Sequence, residues 1–342
     1  MTSRSLSTDE HAAYERPRRH TKPRTKDRPD YADAAVGMIL TVDRGRFRTL
    51  IEDREVTATK ARQLGRTGVI VGDRVRIVGN TSGDEGTLAR IVAVEERATV
   101  LRRTADDDDP YERPIVANAD QLVIVTALVD PPPRTGMIDR ILVAGFDAGL
   151  APLLCLTKAD LASPADLLAA YEPLGVPVVV VSPSSDLTTV REALRGHRSV
   201  FVGHSGVGKS TLVNRLIPGA SRAIGEVNAV TGRGRQTSTS AIALRLPRTG
   251  TAPADPGGPD GPREPGGWVI DTPGVRSFGL SHVSRERIIA AFGDLSELSR
   301  HCPRGCPHTA DAPECAFDEA VARGELSPVR LASFRRMITF GQ

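Results

Sequence analysis

The most informative segment of this sequence is Gly203-His204-Ser205-Gly206-Val207-Gly208-Lys209-Ser210. It matches the phosphate-binding P-loop pattern, and it lies between an apolar strand-like run, RSVFVG, and a helix-like run, TLVNRL, that begins at Thr211. Its glycines let backbone N–H groups curl around phosphates, and the N-terminus of the following helix adds a favourable dipole. A chance glycine-rich loop would need neither flanking element. The segment therefore predicts a nucleotide-phosphate site formed by residues 203–211.

Two residues of the P-loop and one later tetrapeptide have expected roles at the phosphates. We expect Lys209 to reach the β- and γ-phosphates as a catalytic residue and Ser210 to ligate Mg²⁺. Asp271-Thr272-Pro273-Gly274 follows another apolar run, GGWVI. Such tetrapeptides are common, but this one ends a strand downstream of a P-loop. There, the Asp271 carboxylate can hold Mg²⁺ through water, and the N–H of Gly274 can contact the γ-phosphate.

Two loops upstream of the P-loop predict which base is bound. Thr157-Lys158-Ala159-Asp160 directly follows the apolar run APLLCL, and Ser182 ends the next apolar run. The Asp160 carboxylate can accept hydrogen bonds from guanine N1–H and the exocyclic amine, a donor pair that adenine lacks. The stem of Lys158 can lie along the base, and a backbone N–H near Ser182 can meet the guanine carbonyl. Taken alone, residues 157–160 could be an ordinary surface loop that contains Lys and Asp. The two loops together predict guanine binding at the carboxyl edge of a sheet.

The central part of the chain has the pattern of an α/β fold. Continuous apolar runs at 121–129, 151–156, 176–182 and 198–203 alternate with helix-like stretches at 137–149, 163–175 and 184–196. This alternation predicts a parallel sheet covered on both faces. Two more strands are predicted at 240–246 and 266–271, with a flexible Pro/Gly-rich insert at 247–266 between them.

The N-terminal part predicts a tail followed by a barrel. Residues 1–34 are basic and poor in large aliphatic residues, which predicts a disordered tail, either simply solvated or acting as a phosphate-contacting arm. Residues 35–103 contain five short strand-like runs separated by glycine-containing turns, the pattern of a closed OB-fold barrel. Such barrels often bind nucleic acid, although Phe47 is the only aromatic residue available for stacking. The positive charge of this segment comes from Arg46, Arg48, Arg74, Arg76 and Arg90. The acidic run at 106–109 predicts a solvated linker.

The order of the nucleotide motifs points to a family. The base loops (157–160 and 182–184) precede the P-loop (203–210), and the tetrapeptide at 271–274 comes last. With a barrel in front and a Cys/His cluster behind, this circularly permuted order resembles the RsgA (YjeQ) family of small ribosomal subunit biogenesis GTPases. The resemblance runs from residue 35 to about residue 335. It implies a cytoplasmic GTPase that binds the small ribosomal subunit and its rRNA late in assembly, is stimulated by the subunit, and leaves after hydrolysis.

The resemblance also identifies a candidate switch segment. The family reads GRGR-His-Thr-Thr-Thr, with the His implicated in hydrolysis, where this chain has GRGRQTST at 232–239. Because Val275 is apolar and cannot orient water, we expect Gln236 to position the attacking water as a catalytic residue. Thr237 is the expected switch ligand to Mg²⁺, with Thr239 as the alternative. Arg233 and Arg235 either stabilise charge or contact rRNA.

A Cys/His cluster predicts a metal site near the C-terminus. Cys302, Cys306, His308 and Cys315 supply three thiolates and an imidazole, a tetrahedral set suited to one structural Zn²⁺ with no open position for catalysis. Free thiols beside a surface His are the alternative. Helix-like stretches around the cluster predict a zinc-binding helical module at 286–342, which follows a circularly permuted GTPase domain at 104–285. Arginines of the last helix either contact RNA or form a solvated face: Arg330, Arg335 and Arg336. Cys155 lies mid-strand and is expected in the core.

The amino-acid composition limits the class of protein. Hydrophobic residues make up 39% of the 342 residues and charged residues 25%, as in ordinary globular proteins. No run approaches the roughly 18 apolar residues that a membrane span needs. We therefore expect no membrane partner. We also expect the protein to be cytoplasmic and monomeric.

Two other functions remain as alternatives to a GTPase. One is a P-loop ATPase or kinase in which residues 157–160 resemble a guanine-binding loop by chance, and the other is an RNA-binding protein with a non-hydrolysing nucleotide site. The intact set of Lys209, Ser210 and Asp271 argues against the second.

Overall fold

The computed structural model describes residues 31–65, 68–104, 111–220, 241–247, 266–275, 278–280 and 283–338. Contacts divide the chain into Met1–Asp33 and Ala34–Gln342, and all elements below belong to the second unit. Several predictions fall outside the described residues: most of the basic tail, the acidic linker, the switch segment at 232–239, and the insert apart from its ends. No helix in the described ranges is long and apolar enough to cross a membrane.

The predicted barrel is confirmed. Its strands are β1 (Ala35–Asp43), β2 (Arg46–Ile51), β3 (Arg54–Lys60), β4 (Arg74–Gly79) and β5 (Ala89–Val94). Neighbours pair in the order β1-β2-β3-β5-β4, and the pairing of β1 with β4 closes the ring. Alternate residues of each strand point inward, so Ile39, Val56 and Ile91 form a buried core together with Phe47. Phe47 therefore fills the barrel and is not available to stack on a nucleic-acid base.

The sequence pattern predicts one strand over residues 86–103, the last of the five strand-like runs. The structure shows two separate strands there instead. After β5 the chain leaves the barrel, and residues Val100–Arg103 form β6, which pairs with β7 (Arg113–Ala117) in a separate two-stranded sheet. Polar side-chain contacts hold the chain between β5 and β6 outside the barrel. Arg97 turns back to pair with the fully buried carboxylate of Asp73 (Nε to Oδ1, 2.6 Å), and Ala98 N–H donates to the Asn118 side chain.

The parallel sheet is also confirmed. Its strands are β8 (Gln121–Ala127), β9 (Ala151–Thr157), β10 (Val178–Val180), β11 (Arg198–Gly203), β12 (Ile242–Arg245) and β13 (Trp268–Asp271). They lie in the order β10-β9-β8-β11-β13-β12, and all are parallel except β12, which runs antiparallel to β13. The helices α1 (Thr135–Asp147), α2 (Ala165–Tyr171), α3 (Thr188–Leu194) and α4 (Lys209–Leu216) connect them. Apolar clusters cover both faces, and Cys155 is buried in one of them, as expected.

One contact between barrel and sheet has no counterpart in the sequence pattern. Strand β1 pairs antiparallel with β12 through Thr41 and Ile242, so the barrel continues the α/β sheet. Within the described residues the two form a single sheet of 11 strands. The barrel is thus attached to the α/β sheet by backbone hydrogen bonding as well as by the connecting chain.

A helical module packs against α1 and α2. It consists of α5 (Arg285–Ala290), α6 (Gly293–Ser299), α7 (Ala316–Ala322) and α8 (Pro328–Ile338). Phe292 contacts both Phe146 of α1 and Phe334 of α8 in edge-to-face geometry, with ring centroids 4.7 and 5.5 Å apart. Beside this cluster, Arg336 of α8 pairs with Asp139 of α1 (Nε to Oδ2, 2.7 Å), whose side chain is fully buried.

Removing the Arg336 guanidinium is expected to leave the buried Asp139 carboxylate unpaired. For Arg336→Ala we expect the free energy of unfolding to fall by about 2 kcal/mol at neutral pH, less than for a fully buried pair because Arg336 is partly exposed. Burial raises the pKa of Asp139 and Arg336 opposes that rise, so the pKa climbs further in the variant. The folded state then holds the proton more tightly than the unfolded state, and the stability deficit shrinks as pH falls.

Urea unfolding at neutral and mildly acidic pH measures both effects. Arg323→Ala is the matched control, because Arg323 lies in the same module and pairs only with surface carboxylates, Glu319 and Glu325. Its stability should stay close to that of the parent chain. An equal loss in both variants, or a deficit in Arg336→Ala that does not change with pH, would contradict the role assigned to this pair.

Candidate functional site

The P-loop connects the end of β11 to the start of α4. Gly206 and Gly208 have φ angles of 86° and 88°, a region that favours glycine. Gly203 lies so close to the carbonyl oxygen of Val125 on β8 that a Cβ atom would overlap with it. Val207 is buried beneath the loop, while Ser205, Gly206, Ser210 and Thr211 are exposed at its rim. The sequence thus folds into an open cradle of backbone N–H groups at the carboxyl edge of the sheet.

The tetrapeptide at 271–274 lies beside this cradle. The Thr272 hydroxyl donates to the Phe201 carbonyl of β11 (2.7 Å), and Val275 N–H donates to the Gly203 carbonyl (3.0 Å). A Cβ atom on Gly274 would come within 3.3 Å of the Ser205 backbone, so this position also requires close backbone approach. The loop after β13 is therefore held directly against the P-loop.

A buried ion pair joins the two loops. The Lys209 ammonium contacts the Asp271 carboxylate and also the Thr272 carbonyl oxygen, and both charged side chains are almost completely buried. Lys209 is thereby placed at the base of the cradle, with its charge balanced by Asp271. Asp271 and the Ser210 hydroxyl are oxygen donors of the kind that Mg²⁺ prefers.

The base loops meet the same edge. The Thr157 hydroxyl donates to the Val207 carbonyl of the P-loop (2.6 Å), and Ala159 N–H donates to the Val181 carbonyl (3.2 Å). Lys158 has a φ of 60°, and its ammonium contacts the carbonyl oxygen of Asp130 in the loop after β8. Asp160 is exposed next to these anchored residues. The tetrapeptide is thus held between the P-loop and two neighbouring strand ends.

The second base loop is held by the P-loop helix. Ser182 N–H donates to the Ser185 hydroxyl (2.8 Å), and Arg215 of α4 donates to the Ser182 carbonyl (2.9 Å). Neither Asp130 nor Arg215 was a sequence prediction. Asp130 acts through its backbone, which leaves no sequence signal, and Arg215 looks like an ordinary surface residue of a helix.

The structure thus brings the sequence-predicted nucleotide residues together, apart from two. Residues 157–160, Ser182, the P-loop from Gly203 through His204 to Thr211, and residues 271–274 all lie at the carboxyl edge of β9, β10, β11 and β13. Gln236 and Thr237 lie outside the described residues.

The Cys/His cluster forms at the edge of the helical module. The donor atoms of Cys302, Cys306, His308 and Cys315 all lie within 4.8 Å of one another. His308 directs Nδ1 toward the thiols, 3.5 Å from Cys302 Sγ and 3.8 Å from Cys315 Sγ. Its ring stacks on Phe317, and its carbonyl accepts from Arg335 (3.0 Å). Tetrahedral Zn²⁺ with bonds of about 2.0–2.3 Å fits a donor set of this size.

Burial and neighbouring charges favour uncharged side chains in the cluster unless a cation offsets the thiolate charge. Burial raises the pKa of the Cys302 thiol to about 11, and neighbouring thiols reinforce the rise. Burial likewise lowers the pKa of His308, and the nearby Arg285 and Arg335 lower it further. Thiolates crowded at this distance repel each other, and a divalent cation offsets that repulsion.

Most arginines considered for RNA contact are engaged within the chain. Arg48 pairs with Glu55, and both Arg74 and Arg76 approach Glu95 at 3.2 Å. In α8, Arg330, Arg335 and Arg336 pair with Asp294, Asp318 and Asp139. Arg46 and Arg90 are exposed on the barrel. The α8 arginines therefore hold the module together.

Comparison with known proteins agrees with this geometry. A family model described as RsgA GTPase matches residues 94–281. The small ribosomal subunit biogenesis GTPase RsgA of Pseudomonas aeruginosa is 41% identical over 266 residues, covering 75% of this chain and 72% of that protein. The protein of the same name from Azotobacter vinelandii is 37% identical over 279 residues, covering 79% and 74%.

Solved structures show the same architecture. YjeQ from Thermotoga maritima aligns with a TM-score of 0.63 and 25% identity, covering 90% of this chain and 98% of that one. The circularly permuted GTPase YloQ aligns with a TM-score of 0.62 and 24% identity, covering 90% and 95%, and supports the fold. With the family match and the identity to curated relatives, these findings make this chain a GTPase of the RsgA family.

Proposed function

We propose that this chain hydrolyses GTP during biogenesis of the small ribosomal subunit, binding the subunit and its rRNA and leaving after hydrolysis. The observation that carries the proposal is the meeting of the base loops, the P-loop and the Asp271 loop at one sheet edge, in permuted chain order. The names of the curated relatives support the ribosomal part. A protein with this role acts in the cytoplasm, and we expect it to act as a monomer.

Guanine recognition rests on the anchored base loops. Asp160 accepts from N1–H and the exocyclic amine of guanine, while Thr157 and Lys158 are fixed by their contacts with Val207 and Asp130. The backbone at Ser182, held by Arg215, meets the guanine carbonyl. Because these contacts join the base loops to the P-loop and its helix, base and phosphates bind to one connected surface.

Phosphate binding requires Lys209 to change partners. Its ammonium contacts Asp271 and Thr272, and on nucleotide binding it turns to the β- and γ-phosphates, with the N–H groups of residues 205–211 around them. Ser210, Asp271 and Thr237 are the residues that would hold Mg²⁺, which when bound neutralises developing phosphate charge. Release of Asp271 from Lys209 frees its carboxylate for that role.

Water activation must come from outside the Asp271 loop. Val275 is buried and hydrogen-bonds to Gly203 through its backbone, so its side chain cannot orient water. Gln236 is the proposed positioning group for the attacking water; as a neutral amide it orients by hydrogen bonding and carries no proton.

Purified small subunits are expected to stimulate GTP turnover. We expect kcat to rise by at least about ten-fold when they are added, because contacts with the subunit would hold Gln236 and Thr237 against the phosphates. Steady-state phosphate release with and without subunits measures this. No stimulation would remove the ribosomal part of the proposal and leave basal hydrolysis as a separate finding.

The variant Gln236→Ala tests the role of Gln236. Its subunit-stimulated rate should fall while its affinity for GTP stays the same; unchanged stimulated turnover would refute the role of Gln236.

Asp160 is expected to determine the choice of base. Asp160→Asn should weaken GTP binding by about 10- to 100-fold, because a charged acceptor of two hydrogen bonds is lost. Xanthosine triphosphate should recover affinity, since its base has a carbonyl where guanine has the amine. Competition against a fluorescent nucleotide measures both. Asp166→Asn, an exposed carboxylate on the following helix, is the control and should not change affinity. Equal affinities of the parent chain for ATP and GTP would favour an ATPase instead.

One structural Zn²⁺ is expected per chain. Elemental analysis of the purified protein should give one equivalent, and Cys306→Ser should lose it because the remaining three ligands bind less tightly. Chelation should lower the thermal unfolding temperature, since metal affinity contributes to folding. Cys155→Ala removes a thiol outside the cluster and should retain the metal. Zinc retained in Cys306→Ser but lost in Cys155→Ala would contradict the assignment.

A further inference from the structure

A row of three side chains crosses the sheet at the end opposite the nucleotide site. In the register of the sheet, Arg198 of β11 lies opposite Trp268 of β13, and Trp268 lies opposite Arg245 of β12. Residues directly paired on neighbouring strands project from the same face. The three side chains therefore lie side by side, and the Arg245 guanidinium sits over the Trp268 ring, 5.4 Å from its centroid.

This row lines a groove between the sheet and the barrel. A cavity of about 220 Å³ is bounded by Arg198, Trp268 and Arg245 on one side and by Arg74 of the barrel on the other. A second cavity of about 270 Å³ shares Arg74 and Arg198, so the groove continues past them. We define the Trp268 groove as these two cavities taken together.

The three arginines of the Trp268 groove differ in how their side chains are held. Arg245 pairs with Asp53 at 2.9 Å in an exposed contact, and Arg74 pairs at 3.2 Å with Glu95, whose side chain is 23% exposed. Exposed ion pairs contribute little and exchange partners readily. In the described part of the chain, no ion pair or side-chain hydrogen bond engages the Arg198 guanidinium.

Carboxylates also face the groove. Glu52 lines the first cavity, and Glu95 and Glu96 line the second. A purely anionic ligand gains less from such a mixed surface than from an all-basic one. A ligand with an anionic backbone, a flat π-face and amino donors matches all three features: arginines, the stacked Arg245–Trp268 pair, and carboxylate acceptors.

We propose that the Trp268 groove binds an unpaired nucleotide of single-stranded RNA. The base stacks on the Arg245 guanidinium supported by Trp268, its flanking phosphates contact Arg198 and Arg74, and Glu52 accepts from an exocyclic amine. Bases of unpaired RNA are typically held on aromatic rings and guanidinium planes in this way, whereas a duplex hides its base faces. The inference rests on the proposed function, since a subunit-assembly GTPase encounters unpaired rRNA.

The groove is distinct from the GTP site. Trp268 and Asp271 are the first and last residues of β13, so the two sites lie at opposite ends of one strand. None of the lining residues belongs to the P-loop or to the base loops. Binding in the groove can therefore be tested without disturbing nucleotide contacts.

The chain offers an internal reporter, because Trp268 is its only tryptophan. We expect a single-stranded oligoadenylate or oligocytidylate to quench the Trp268 fluorescence in a saturable way, and the same sequence in a duplex to quench far less. Arg198→Ala combined with Arg245→Ala should weaken binding at least about ten-fold, as loss of one stacked base and a phosphate contact does. Arg198→Ala alone should reduce the salt dependence of log K by about 0.7, the value for one phosphate contact on a single strand.

Controls separate the groove from other binding surfaces. Arg323→Ala removes one exposed arginine far along the chain and should leave quenching and affinity unchanged. Thermal unfolding and basal GTP hydrolysis report whether the double variant is folded. RNA binding without Trp268 quenching, equal affinity in the double variant, or equally tight binding of polyglutamate would each overturn the proposal. Stimulation of GTP hydrolysis by small subunits, measured separately on the parent chain, tests the proposed function itself, so failure of one is not read as failure of the other.

Discussion

Parallel pairing of β9, β8, β11 and β13 is the constraint on which the site depends. Their registers place Thr157 beside Ala127 and Asp271 beside Phe201, so the loops that follow these strands emerge at one edge. A parallel sheet fixes where a strand's carboxyl end lies and is indifferent to the order in which the chain visits the strands. The base loops can therefore precede the P-loop in sequence while the Thr157–Val207 and Lys209–Asp271 contacts still form. Circular permutation changes the connections and preserves the cradle.

The permuted order has a second consequence at the other side of the sheet. Strand β12 lies between β13, which ends in the Asp271 loop, and β1, which belongs to the barrel. Backbone hydrogen bonds thus run from the nucleotide site through β13 and β12 into the barrel, and the Trp268 groove lies along this path. A ligand between barrel and sheet and a nucleotide at Asp271 bind to opposite ends of one short strand.

Local patterns were predictable from the sequence, and contacts between distant segments were not. The P-loop, the base loops and the Cys/His cluster are each complete within a few residues, and the apolar strand runs identify the sheet. By contrast, the pairing of Thr41 with Ile242 and the burial of Phe47 depend on how the barrel closes. Strand β10 begins only at Val178 because the preceding Pro177 cannot donate a ladder hydrogen bond. The domain boundaries at 103 and 285, and the role of Gln236, remain predictions because the structure does not test them.

Helix α1 gives a physical route from the nucleotide to the helical module. Its preceding loop supplies the Asp130 carbonyl that holds Lys158, and its middle supplies the buried Asp139 that holds Arg336 of α8. Arg140, the next residue, donates to the carbonyl of Phe278, just after the Asp271 loop (3.2 Å). A displacement of either the base loop or the Asp271 loop therefore acts on the same helix. The module also packs on α1 through the contact between Phe146 and Phe292, in addition to the Asp139–Arg336 pair. The loop before α1 and α1 itself therefore contact the base loop, the chain just after the Asp271 loop and the helical module.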